Sequence, residues 1–350
     1  MNRVLITAGG SGGHLYPALA VADIFLEKGF QVYLLTSKKR PANIKFNSNI
    51  KIIEGFSVGW NRSLTGIFVT SWSLLKDFIL SFKILSELKP ILVLGMGGYV
   101  SIAPILTAFI FGIPRAIHEQ NIIPGLANRF LAPFVNKIFI SFPNTNFGAV
   151  QSKTVYTGLP LRKELYNTRH FNHDVFTVLV MGGSQGARII NDTIIEIVER
   201  KLIKDVKFIH ITGARDFDRL KERIERLKSQ NYEVYSYRED VWVLYEKADL
   251  VISRAGAGSV VELATVGLPA ILIPYKGAEG HQYLNAKWFV DNGRGVIIDQ
   301  SQLSPNYLAE RIQEFRSMNR TEIMLNCEKV LDLPKASYKL VEETLKMVGG

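Results

Sequence analysis

The chain has 350 residues, 47% hydrophobic and 21% charged, which excludes a disordered tail, a collagen-like fibre and a coiled coil, and its length points to two domains. A single cysteine, Cys327, excludes an internal disulfide and a cysteine-rich zinc site and fits a reducing compartment. The net charge of +10 sits almost wholly in residues 1–160, with 15 Lys and Arg against 6 Asp and Glu, which suits nucleic acid, an anionic membrane or a phosphorylated substrate.

The chain opens on an apolar run, Val4-Leu5-Ile6-Thr7-Ala8, that ends in Gly9-Gly10-Ser11-Gly12-Gly13-His14 and passes into a helical pattern over residues 18–26. The run is too short and too glycine-rich for a signal peptide. Further strands are expected at residues 31–35, 91–94, 115–117 and 137–140. Residues 63–85 carry Ile67, Phe68, Trp72, Leu75, Phe78, Ile79 and Phe82, with Arg62, Lys76, Lys83 and Lys89 around them. Such a stretch fits either a membrane interface or a core-facing helix. Residues 91–113 hold no charge over 23 positions, long enough for a membrane span. Gly95, Gly97, Gly98 and Pro104 divide the run instead into a buried strand, a glycine loop and a helix from about residue 103, with Pro104 tolerated in its first turn. No transmembrane segment is expected.

Prolines, Asn and His between Gly158 and Asp174 mark a boundary. One domain is expected over residues 1–160 and a second over 161–335, followed by a helix in 336–350 whose packing the sequence leaves open. Val178-Leu179-Val180-Met181-Gly182-Gly183-Ser184-Gln185-Gly186-Ala187 repeats the opening layout of strand, glycine turn and helix start. Strands follow at residues 207–211, 233–236, 250–253, 270–273 and 296–298. Short apolar runs alternating with helices imply α/β domains whose parallel sheets are buried on both faces.

Glycines between a strand and a helix let the backbone approach a ligand, and the helix N-terminus offers N–H groups and a positive dipole end, which suits a phosphate. Neither turn is a dinucleotide fingerprint, and no Gly-Lys-Ser/Thr is present, so a P-loop is excluded. An NAD-dependent dehydrogenase also needs an acidic residue closing the second strand, which here ends Thr36-Ser37-Lys38-Lys39. No nucleic-acid recognition motif is present, and no nucleic-acid partner is expected. Beyond the strand at 250–253, Ala257, Gly258 and Ser259 are small enough for a flat ring or a ribose to come close. Glu262, placed in or near the first turn of the following helix, can accept two hydrogen bonds from vicinal sugar hydroxyls. Residues 274–286, with His281 and Gln282, lie past another strand end, where ligands of open α/β sheets gather.

In order and spacing these motifs resemble the MurG family, the bacterial transferases that add N-acetylglucosamine to lipid I and form lipid II. The resemblance spans essentially the whole chain and rests on Gly9–Pro17, Gly95-Met96-Gly97-Gly98-Tyr99, His118-Glu119-Gln120-Asn121 with Pro124-Gly125-Leu126-Ala127-Asn128, Gly182–Ala187, Arg254-Ala255-Gly256 with Glu262, and Gln282-Tyr283-Leu284-Asn285-Ala286. It implies a GT-B architecture, two Rossmann-like domains with parallel sheets facing an interdomain cleft. It further implies an inverting transferase that requires no metal or cofactor. The C-terminal domain would hold UDP-N-acetylglucosamine, with Ser184 and Arg162 at the pyrophosphate. Ala257, Gly258, Ser259, Val260 and Val261 would line the nucleotide, Glu262 the ribose, and the backbone at Arg238 the uracil. Gln282 and Asn121 would meet the sugar, and Ser11, Gly12 and Gly13 the donor. Tyr99 and Asn128 would bind the acceptor. Arg238, His281 and Leu159 depart from residues common in the family, which bears on fine contacts rather than on the reaction.

By this resemblance the C4 hydroxyl of the muramyl sugar attacks the anomeric carbon of N-acetylglucosamine, giving a β-1,4 link and UDP. The hydroxyl needs a general base, for which His14 and Glu119 are both candidates; His118 reads as structural. Lipid I, an undecaprenyl pyrophosphate, places the enzyme peripherally on the anionic cytoplasmic face of the inner membrane. Another GT-B enzyme with a lipid acceptor is the nearest alternative, and Glu119-Gln120-Asn121 favours lipid I.

Overall fold

The protein is described by a computed structural model that covers the chain apart from residues 1, 39, 41–43, 57–63, 169–173, 184–185, 228, 278–279, 319–334 and 350, and apart from the side chains of residues 64–69. Expectations for Arg62, Ser184 and Cys327 therefore fall outside the described residues, as do those for the side chains of Ile67 and Phe68. The chain forms two compact units. One contains Met1–Arg162 and takes in the C-terminal end of the chain; the other is Lys163–Asp332.

The first unit is built on a seven-stranded parallel sheet. Its strands are β1 (Arg3–Ala8), β2 (Gln31–Ser37), β3 (Lys51–Gly55), β4 (Leu92–Gly95), β5 (Arg115–Glu119), β6 (Lys137–Ile140) and β7 (Thr154–Tyr156), in the order β3-β2-β1-β4-β5-β6-β7. Alternation along the strands feeds two cores, one on each face. In β1, Val4, Ile6 and Ala8 enter one core while Leu5 enters the other; β4, paired with Val4 opposite Leu92, sends Leu92 and Leu94 to the first and Val93 to the second. The first face is covered by α1 (Gly12–Glu27) and by α11 (Ala336–Lys346), whose Leu340 and Val341 are fully buried there. The C-terminal helix, left unassigned by its sequence, thus completes the N-terminal unit. The second face is covered by α2 (Leu64–Leu88), α3 (Ile102–Ile110) and α4 (Leu126–Leu131).

The uncharged run at 91–113 resolves into β4, a tight turn at Tyr99–Ser101 and α3, with Pro104 third in the helix, where no intrahelical N–H bond is lost. Among the described residues no helix is long and apolar enough to cross a membrane. The strands β3 and β7 are absent from the sequence reading. They are the two edges of the sheet, short and half-exposed, so the long apolar run of a central strand is missing from both.

The second unit carries β8 (Phe176–Met181), β9 (Val206–Ile211), β10 (Tyr232–Tyr235), β11 (Leu250–Ser253), β12 (Ala270–Leu272) and β13 (Gly295–Ile297), all parallel, in the order β10-β9-β8-β11-β12-β13. Its helices are α5 (Arg188–Glu199), α6 (Ala214–Leu227), α7 (Val241–Tyr245), α8 (Ala257–Val266), α9 (His281–Asp291) and α10 (Pro305–Ser317). In both units the strand order reverses beside the first strand, with β1 between β2 and β4 and β8 between β9 and β11. Each glycine turn therefore opens at a switch point, where connections diverge and leave room for a ligand.

Docking of α11 against α1 rests on its buried aliphatic side chains. Leu340→Ala should cost about 2–4 kcal/mol. Hydrogen exchange should show protection falling in α1 while α5 keeps its own; equal loss in both helices would contradict this account.

Candidate active site

In the N-terminal unit, the turn after β1 and the turn after β4 are built against each other. The Gly9 N–H donates to the Gly97 carbonyl at 2.9 Å, and the Met96 N–H donates to the Thr7 carbonyl at 2.7 Å. A Cβ on Gly98 would stand 2.8 Å from the Gly9 Cα, and Gly98 has φ +85, so only glycine fits the contact. His14, in the first turn of α1, packs over this junction. Its Nδ1 lies 3.0 Å from Ser11 Oγ, and a Cβ on Gly97 would meet its ring at 2.7 Å. Burial among these groups lowers the His14 imidazole to about 4, so it is neutral at pH 7 with a lone pair available. Ser11 and Gly13 are exposed and Gly12 is buried, and Tyr99 is half-exposed beside the second turn.

Glu119 ends β5 and is buried. Its Oε1 accepts from the Asn121 backbone N–H at 2.9 Å and the Asn121 side-chain amide at 3.3 Å; its Oε2 accepts from the Gly125 N–H at 2.9 Å and the Asn128 side-chain amide at 2.8 Å. Burial pushes this carboxyl up, and the four donors pull it back. A carboxylate so enclosed organises the loop that carries Asn121. Both oxygens of Glu119, one of the two base candidates, are thus already engaged within the protein. Asn128, expected at the acceptor, is also buried; its amide donates to Glu119 and to the His118 carbonyl at 3.0 Å. His118 is structural, as expected. Its Nε2 lies 3.1 Å from the Gly158 carbonyl and its Nδ1 3.2 Å from the Gln120 amide, and burial lowers it to about 4. Gln120, a member of the motif to which the sequence gave no role of its own, also donates to the Met96 carbonyl at 2.9 Å and so ties β5 to the glycine turn. Arg162 belongs to this unit, its guanidinium 4.7 Å above the Tyr16 ring of α1.

In the C-terminal unit, Gly186 has φ +77, and a Cβ there would come within 2.3 Å of the Thr212 carbonyl. Ser184 lies outside the described residues. The start of α8 presents Ala257, Gly258 and Ser259 at a helix N-terminus that no side chain caps. Val260 and Val261, expected to line the nucleotide, are buried, 0% and 2% exposed. Glu262 is the sixth residue of α8 and so lies in its second turn rather than its first; its Oε2 accepts from the Tyr245 hydroxyl at 2.9 Å. Arg238 pairs with Asp240 through two bonds of 2.7 and 2.6 Å and stacks 4.8 Å above the Tyr235 ring. Gln282 accepts from the Tyr275 N–H at 2.9 Å, and Arg254 stacks 5.5 Å over the Tyr275 ring. Tyr245 is a partner that no spacing in the sequence announces, because it meets Glu262 only through the fold, whereas Asp240 stands two residues from Arg238. Among the described residues no three His, Cys, Asp or Glu side chains gather as a metal-binding set.

Comparisons with known proteins agree with this layout. The signature of the glycosyltransferase family 28 N-terminal domain covers residues 4–140, and that of the glycosyltransferase family 28 C-terminal domain covers residues 177–338. A protein of Sulfurihydrogenibium sp. named UDP-N-acetylglucosamine–N-acetylmuramyl-(pentapeptide) pyrophosphoryl-undecaprenol N-acetylglucosamine transferase is 37% identical over 320 residues, 90% of each chain. A protein of the same name from Desulfitobacterium hafniense is 36% identical over 98% of each chain. Among solved structures, Acinetobacter baumannii MurG matches with a TM-score of 0.77 at 27% identity, covering 99% of this chain and 100% of that one. The calicheamicin glycosyltransferase CalG4 matches at 0.71 with 13% identity and shares the fold.

Two buried histidines, His118 and His210, and the half-buried His14 make stability depend on pH. His14 and His118 are lowered to about 4 and His210 to about 3. An unfolded histidine takes up its proton near pH 6.5, whereas these do so only well below, so unfolding binds protons in that window. Stability should fall as pH drops from about 6.5 towards 4. The urea midpoint should be clearly lower at pH 5 than at pH 7; equal midpoints would contradict the burial described.

Proposed function

The chain belongs to glycosyltransferase family 28, and on that premise we propose that it transfers N-acetylglucosamine from UDP-N-acetylglucosamine to the muramyl sugar of an undecaprenyl-pyrophosphoryl acceptor, forming the lipid II linkage. The observation that carries this reading is likeness over both units at once. Relatives bearing that name match at 36–37% identity across 90–98% of the chain, so the likeness takes in both units.

In this reading the C4 hydroxyl oxygen attacks the anomeric carbon while the bond from that carbon to the UDP oxygen breaks. The electron pair leaves with UDP, the hydroxyl proton passes to a base, and the configuration inverts. His14 is the base. It is neutral at pH 7, stands at a glycine turn with exposed neighbours, and becomes more basic beside the pyrophosphate of a bound acceptor. Glu119 holds the loop of Asn121 in place. The C-terminal unit binds the donor, with helix-terminal N–H groups at the phosphates, Glu262 at the ribose, the backbone near Arg238 at the uracil, and Gln282 at the sugar.

The acceptor's polyprenyl chain requires a membrane surface, and the N-terminal unit has a face suited to it. Helix α2 buries Asp77, Ser81, Ile84 and Leu85 and exposes Trp72, Leu75, Ile79 and Phe82, so it is core-facing on one side and apolar on the other. Phe82 meets Phe111 edge-on at 5.2 Å, which joins α2 to the exposed Phe109, Ile110 and Phe111 at the end of α3. Phe109 contacts Phe134 and Phe134 contacts Phe130, extending the surface to α4. Lys76 lies over Trp72, and Lys83 is exposed close by along the helix. Aromatic residues rimmed by lysines suit an anionic bilayer surface.

Two experiments test these assignments. In a UDP-release assay with a soluble lipid I analogue, His14→Ala should lower kcat by about 10²- to 10⁴-fold with UDP binding and melting temperature little changed. Glu119→Gln should lower the melting temperature as well. A His14→Ala enzyme with near-normal kcat would remove His14 as base, and no acceptor-dependent release by the wild type would refute the transferase assignment to this acceptor. For the membrane face, Trp72→Ser with Ile79→Ser should weaken co-sedimentation with phosphatidylglycerol vesicles by about tenfold or more and leave UDP binding intact. Unchanged sedimentation would move the contact elsewhere.

A further inference from the structure

Tyr245 is the last residue of α7 and is 1% exposed. Its hydroxyl donates to Glu262 Oε2 at 2.9 Å, reaching from α7 to the second turn of α8, and lies 3.8 Å from the Met181 sulfur at the end of β8. Met181 immediately precedes the Gly182-Gly183 turn. At the other end of α7, Asp240 holds Arg238 by two charge-assisted bonds. One short helix therefore connects the segment at Arg238, the end of β8 and the Glu262 carboxylate.

We infer that Tyr245 is a positioning residue for recognition of the donor's ribose, acting through Glu262; the inference rests on the assignment of Glu262 to the ribose hydroxyls. A carboxylate on a half-exposed helical glutamate has several rotamers, and a ligand that needs one of them must select it. The Tyr245 phenol is fixed by burial, and its hydrogen bond to a charged acceptor is among the stronger kinds. Holding Oε2 removes the rotation before the ligand arrives and orients the carboxylate towards two vicinal hydroxyls rather than one. Tyr245 thus contributes to discrimination between a ribose and a 2′-deoxyribose without touching the nucleotide. The same short helix carries Asp240 and hence Arg238, so the register of base recognition and that of sugar recognition are set by a single element.

The test compares binding of UDP and 2′-deoxy-UDP by titration calorimetry to the full-length wild type, Tyr245→Phe and Glu262→Gln. Phenylalanine removes one oxygen and keeps the ring in the core, and thermal melting of each variant reports any loss of fold. Tyr245→Phe should weaken UDP roughly fivefold to tenfold and 2′-deoxy-UDP by less than about twofold, so the preference for the ribonucleotide shrinks, as it does in Glu262→Gln. In turnover the same variant should raise the KM for UDP-N-acetylglucosamine and leave kcat within about twofold. Equal weakening of both nucleotides by Tyr245→Phe would mean that the tyrosine only supports the core, and would overturn the inference. A preference lost in Glu262→Gln yet intact in Tyr245→Phe would also overturn it while leaving Glu262 on the ribose. A preference unchanged in both variants would remove Glu262 from the ribose, and the inference with it.

Discussion

A buried carboxylate at the end of a central strand sets the geometry of the N-terminal site. Removing a charge from water is costly, and Glu119 is tolerated inside because four N–H groups from Asn121, Gly125 and Asn128 converge on its two oxygens. Those donors come from a loop and from the helix that follows it, so the same bonds that stabilise the charge also dictate the path of residues 119–128. The Asn121 carbonyl in turn accepts from Thr145, and the Glu119 carbonyl accepts from the Ser141 hydroxyl and N–H, which extends the order to the end of β6. A network satisfied in this way is rigid, because moving any one donor exposes a buried charge. The glycine turns at Gly9 and Gly98 then stand on fixed ground, with Gln120 linking the two systems through the Met96 carbonyl.

This arrangement also explains how much could be read from the chain alone. The central strands and the two glycine turns were legible because burial on both faces demands unbroken apolar runs, and a tight strand-to-helix turn demands glycine. The edge strands β3 and β7 were not, since a half-exposed edge has no such requirement. Glu119 was legible as a candidate, but its work was not. A carboxylate type and position cannot tell that an amide nine residues on will close over it, and for the same reason the burial of Asn128 was not legible. Val260 and Val261 were named from their place in a motif, and burial at that point of the helix is set by the fold around it. Tyr245 carried no signal, because its meaning lies in a contact across 17 residues that only the packing of α7 on α8 creates.

The stretch at residues 63–85 carries a different lesson. Core helix and membrane helix were rival readings of the sequence, and in the structure α2 has a buried face and an exposed apolar one. Its 25 residues are long enough to bury one face against the sheet and still leave Trp72, Leu75, Ile79 and Phe82 outside. Singly exposed apolar residues need no explanation, but here Phe82 of α2 meets Phe111, and Phe109, two residues before it at the end of α3, meets Phe134, which meets Phe130 of α4. The excess positive charge of the first half lies in the same unit.

Polar groups around the two sites are already engaged before any substrate arrives: Arg238 with Asp240, Glu262 with Tyr245, Gln282 with the Tyr275 backbone, and Asn121 with Glu119. A group held by a protein partner does not have to be ordered by its ligand, so less of the binding free energy is lost to conformational entropy. Transfer between two large anionic substrates gains from this, because charge that develops on the leaving diphosphate must meet donors that need not reorganise at that moment. The neutral His14 fits the same logic. Its imidazole is set over a glycine junction too tight to admit a side chain, so its position is decided by backbone packing before any ligand arrives.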